Sequence, residues 1–95
     1  MSAPTAAAIA SAEEGLTELK THLPNLVSKW GEYSEGVQAT LIGSTCIYIH
    51  LCHASTSVER GFVVTLFRDY GGCEPEHPLA AGVLKRLQEW GRLRT

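Results

Sequence analysis

The sequence predicts an α+β fold with N-terminal helices, a three-stranded antiparallel meander and a C-terminal helix. Three observations lead there. Apolar residues recur every three or four positions before residue 35 and again after residue 78, as they do on one face of a helix. No Asp, Glu, Lys or Arg occurs between Glu35 and Glu59, a run of 23 residues. Within that run, and again from Phe62 to Phe67, aliphatic, β-branched and aromatic side chains dominate, as strands prefer. At 95 residues, the chain has room for one domain with one core, spanning residues 1–95 with residues 1–5 frayed.

The first helix is expected from Ala6, with Ile9, Ala12, Leu16, Leu19 and Leu23 on one face. Pro24 lacks an amide donor and disfavours helical geometry at the residue before it, so this helix is expected to end near His22. Leu26, Val27, Trp30 and Tyr33 then support a short second helix that starts at the proline and ends between Gly31 and Gly36. The spacing 9, 12, 16, 19, 23, 26, 30, 33 is also that of a coiled-coil seam, although Gly15 and Pro24 favour an ordinary core-facing stripe.

Val37, Ala39 and Leu41 alternate with Gln38 and Thr40, the period of a strand. Gly43, Ser44 and Thr45 could turn the chain into a second strand, Cys46 to Cys52. On it Ile47, Ile49 and Leu51 share one face, and Cys46, Tyr48, His50 and Cys52 share the other. The third strand is Phe62 to Phe67, after a polar loop from Ala54 to Arg60. Short connections favour antiparallel pairing. Pro78 suits the first turn of a last helix, with Leu79, Ala80, Val83, Leu84, Leu87 and Trp90 as its buried stripe.

Composition narrows the function. The uncharged run is long enough to span a bilayer, yet it holds Gln38, His50, His53 and several Ser and Thr, and lacks flanking aromatic belts or a basic cluster. Buried sheet is therefore the reading, and no membrane association is expected. The N-terminus has no basic residue before Lys20, and three cysteines cannot all pair, so reduced thiols in a cytoplasmic protein are expected.

The net charge of −2 is unevenly spread: residues 1–35 hold five Glu against two Lys, and residues 59–95 hold six basic against five acidic residues. Lys85, Arg86, Arg92 and Arg94 gather at the C-terminal end, where cations suit a helix dipole. They also make a nucleic-acid-binding module the first alternative, although such binders normally carry a larger basic footprint.

Cys46, His50, Cys52, Cys73 and His77 are residue types that bind zinc, and a small zinc-binding domain is the second alternative. No C-x-x-C pair supports it, and buried cysteines commonly behave as small hydrophobes. No nucleophile signature or phosphate-cradling glycine loop is present, so neither catalysis nor a cofactor is expected. By elimination, and because a core of this size gains from association, the favoured function is non-catalytic protein–protein interaction. A small adaptor or inhibitor-like protein, self-associating as a homodimer, fits that description. The candidate contact residues are Trp30, Tyr33, Arg68, Tyr70, Lys85, Arg86 and Trp90, chosen because aromatic residues and Arg dominate interface energies.

Overall fold

The structure, a computed structural model, describes residues 4–54 and 56–94. Residues 1–3, where fraying was expected, lie outside the described residues; Thr5 is ordered, and its hydroxyl accepts the amide N–H of Ala8. That bond caps α1, Ala6–Ser28. A 3₁₀ turn, Trp30–Glu32, leads to α2, Glu35–Cys52. Next come β1, Val58–Glu59, and α3, Arg60–Leu66, which runs directly into a π-helical turn, Phe67–Gly71. The chain continues through α4, Pro78–Glu89, to β2, Leu93–Arg94.

This architecture is mainly helical and overturns the predicted α+β meander. The expected strands 37–41 and 46–52 are both parts of α2, and the expected strand 62–67 is α3 and the start of the π turn. The only sheet among the described residues pairs β1 with β2 in parallel, Val58 with Leu93 and Glu59 with Arg94. Its strands are joined by a crossover through α3 and α4, as parallel pairing requires.

The reason lies in what each segment buries. Along α2 the fully buried residues are Thr45, Cys46 and Ile49, with Leu41, Ile42 and Cys52 packed against the core. That is helical periodicity, hidden in the sequence because no charged residue marks the outer face. Ser34 starts the helix by accepting the Val37 N–H, and Glu35 suits the positive end of its dipole. The Thr45 hydroxyl, buried, donates to the Leu41 carbonyl at 2.8 Å, so it costs the core little. Likewise Val63, Leu66 and Phe67 are buried at spacings of three and four. Packing outweighs the β preference of these residues, which spans only about 1 kcal/mol per position.

α1 also runs further than predicted, through Pro24 to Ser28. Pro24 lies on the exposed side, where the Lys20 carbonyl it leaves without an amide donor can turn to water. Leu16, Leu23 and Trp30 are buried, and Leu19, Leu26 and Tyr33 pack beside them. The long apolar stripe is thus consumed within the chain. The last helix matches its prediction at its start: Pro78 occupies the first turn, and Leu79, Ala80, Val83, Leu84 and Leu87 are buried. Trp90, expected in that stripe, is 43% exposed at the helix C-terminus.

The helices form a ring in which α2 packs on α1 and α4, while the α3–π segment packs on α1 and α4 from the other side. α1 and α4 make little contact with each other. α1 runs antiparallel to α2, since Gly15 meets Tyr48 and Leu26 lies by Leu41. α4 runs in the same sense as α2, with Ile42 against Gly82, Cys46 against Val83 and His50 against Trp90. Among the described residues, no helix is long and apolar enough to cross a membrane.

Candidate protein-interaction surface

α2 carries one charged residue, Glu35 in its first turn, and from Gly36 to Cys52 none at all. A globular surface helix ordinarily turns a charged face to water, whereas a helix without one is normally buried all round. Here α1 covers one flank and α4 the other, and the outward side stays bare. At helical spacing that side consists of Gly36, Thr40, Gly43, Ser44, Ile47 and Leu51. Ile47 stands at its centre and is 49% exposed. Val37, also exposed, lies near its beginning.

Each flank adds a distinct rim. On the α4 side, Arg86 reaches across Gly43, its Nη1 3.0 Å from where a glycine Cβ would be. One turn on, Trp90 meets the His50 ring edge-on at 5.6 Å. The His50 Nδ1 is buried and has no hydrogen-bond partner among the described residues. Farther along, His53 packs edge-on against exposed Phe62 at 5.0 Å. On the α1 side, a groove of about 300 Å³ runs between the helices, floored by Leu19, Leu26, Leu41 and Tyr48 and edged by Glu18, His22 and Ser44. Gly15 permits this close approach, because a Cβ there would stand 2.6 Å from the Tyr48 ring.

The seven residues singled out in the sequence fall into three places. Arg86 and Trp90 border the bare face of α2, and Lys85 is exposed beside Arg86 on α4. Trp30 and Tyr33 belong to a packed cluster at the far end of α1. Trp30 is buried, edge-on to both Tyr33 and His77, and its carbonyl accepts from the Gln38 side chain. Arg68 and Tyr70 project from the π turn, where Arg68 pairs with Glu74 and Lys20 lies 4.9 Å from the centre of the Tyr70 ring. Ile47, Leu51, Val37 and Glu18 were not among the seven. For Ile47, Leu51 and Val37 the signal is the absence of charge in the segment, which points to burial in a sheet rather than to a bare helix; Glu18, on α1, carries no such signal.

The two alternative constellations are dispersed. Cys46 and Cys73 are buried and lie against the carbonyls of Val83 and Phe67. His77 accepts the Leu79 N–H on Nδ1, and its Nε2 faces the Val27 carbonyl at 3.2 Å. Among the described residues no three His, Cys, Asp or Glu side chains gather in a way that could hold a metal ion. Burial pushes the Cys46 thiol up to about 11, with the nearby Arg86 charge acting in the opposite direction. It raises the Cys52 and Cys73 thiols as well. Such thiols stay protonated and are poor nucleophiles.

The basic residues are divided too. Arg92 and Arg94 lie beyond α4, where Arg92 donates to the Ala54 carbonyl and Arg94 pairs with Glu59. That pair borders an open cleft of about 550 Å³ formed with Arg60, Gly61 and Leu93. Lys85 and Arg86 remain as the helix's own cations. No protein-family model, curated protein or solved structure matches this chain.

Proposed function

We propose that this protein is a non-catalytic protein–protein interaction domain whose contact surface is the outward face of α2 with its two rims. The observation that carries this reading is a helix without a charged face, half uncovered, with Ile47 and Trp90 exposed on and beside it. An interface core is typically apolar and depleted of charge, with aromatic residues and Arg enriched, and a polar rim surrounds it. The bare strip of α2 has the character of such a core, while Glu18 and Arg86 have that of a rim. Raised thiol pKa values and dispersed His and Cys side chains support a binding role over a chemical one.

The test is site-specific photo-crosslinking in the native host, with a benzophenone side chain placed at Ile47 or, as control, at Thr65 on α3. A discrete adduct from position 47 and none from position 65 is the expected outcome. Equal, diffuse labelling at both positions would sink the reading.

A further inference from the structure

We infer that the occupant of this face is a second copy of the chain, related by a two-fold axis that runs along α2. The inference rests on the interaction reading above and adds the partner and its orientation. Two charges without an ion-pair partner among the described residues carry it. Glu18 edges the groove on the α1 side of α2, and because Gly15 meets Tyr48 and the two helices are antiparallel, three residues further along α1 bring it level with Thr45 and Ser44. Arg86 lies over Gly43 on the α4 side. The two charges therefore sit at the same height along α2, on opposite flanks and of opposite sign. The ion pairs among the described residues are Arg68 with Glu74 and Arg94 with Glu59, so among those residues neither Glu18 nor Arg86 has an ion-pair partner. Glu14 stands one turn from Glu18 on the same side of α1, and Lys85 stands beside Arg86.

Symmetry then decides the orientation. A self-complementary contact brings the same patch of each copy together about a two-fold axis. An axis along α2 sets the two α2 helices parallel and carries the Glu18 flank of each copy to the Arg86 flank of its partner. An axis across α2 sets them antiparallel, with Glu18 against Glu18 and Arg86 against Arg86. Like charges facing each other across an interface disfavour that arrangement. Between the flanks Gly36, Thr40 and Ser44 are small enough for two helices to approach closely, and Ile47 and Leu51 supply the apolar area.

The test uses the purified full chain. Light scattering at high micromolar concentration should give twice the monomer mass. Glu18→Arg and Arg86→Glu should each weaken the dimer by about tenfold or more, and the double variant should recover most of the loss. In a Cys52→Ser background, Thr40→Cys should form a disulfide-linked dimer by itself, as parallel helices require. A disulfide formed only when Thr40→Cys and Ile47→Cys chains are mixed would overturn the orientation. Failure of the charge swap to rescue would overturn the pairing. A monomeric wild type overturns the inference entirely, and if position 47 still yields an adduct with a different protein in the host, the interaction reading stands without it.

Discussion

His77 does two structural jobs with one tautomer. Its Nδ1 accepts the Leu79 N–H at the start of α4, so the ring proton sits on Nε2 and is donated to the Val27 carbonyl near the end of α1. One side chain thereby ties two helix ends together. His77→Ala should cost about 1–2 kcal/mol in urea unfolding, from the lost cap and the exposed carbonyl. Cys46 makes a second residue-scale prediction. Its folded-state pKa, about 11, exceeds the ordinary value of 9.0. The unfolded chain therefore ionises this thiol first, so its contribution to stability is flat below pH 9 and is lost as pH rises toward 11. Cys46→Ala should flatten that decline by about 2–3 kcal/mol across the window, measured as unfolding free energy against pH. At Gly82, a Cβ would stand 2.6 Å from Ile42 Cδ1 and 3.2 Å from its Cγ1. Gly82→Ala should destabilise the α2–α4 contact by about 1–3 kcal/mol in the same assay.

Among the elements, α1 and α2 depart from what their sequences predict for opposite reasons. Pro24 predicts a stop because it removes one backbone hydrogen bond, yet neighbouring turns hold α1 through it. Asn25, Leu26 and Val27 extend the helix, and Leu26 and Val27 pack on the core. The helix tolerates the proline at a cost, so Pro24→Ala should raise stability by about 1–3 kcal/mol, read as a shift in the denaturation midpoint. The sequence of α2 predicts two strands because Val, Ile and Thr are common in it and because alternation fits its short runs. The helical signals were present in the sequence: Ser34 before Glu35 is an N-cap pattern, and residues 38, 41, 42, 45, 46, 49 and 52 keep helical spacing. α3 continues as a π turn until Gly72, whose positive φ of 65° lets the Cys73 N–H reach back to the Phe67 carbonyl.

For the whole molecule, the arrangement of charge matters more than its sum. Glu18 on α1 and Arg86 on α4 lie on either side of a helix that carries no charge from Gly36 to Cys52. If two copies meet there, apparent stability includes their association and depends on concentration. The wild-type melting temperature should therefore rise with protein concentration. Ile47→Glu should abolish that dependence while keeping the helical circular dichroism, because a half-exposed position tolerates a charge in the monomer. A concentration-independent wild-type transition would count against self-association at this face.

By itself the sequence determined the last helix and the start of α1, the buried stripes from Leu16 to Trp30 and from Leu79 to Leu87, and the singular character of the segment from Gly36 to Val58. Those stripes are amphipathic, and a charged face opposite an apolar one leaves a single period to read. Only the tertiary structure decided what the uncharged segment is. Without charges to mark an outer face, its apolar residues fit a period of two and a period of 3.6 equally well. The choice falls to the neighbours: α1, through Gly15, and α4, through Gly82, approach closely enough to bury one side of a helix and leave the other bare. The same packing moved the candidate site. It placed Trp30 in the core and Trp90 at the surface, and it put Arg86 and Glu18 on opposite edges of one apolar strip. Burial on one flank and exposure on the other depend on contacts between distant segments, which no local pattern encodes.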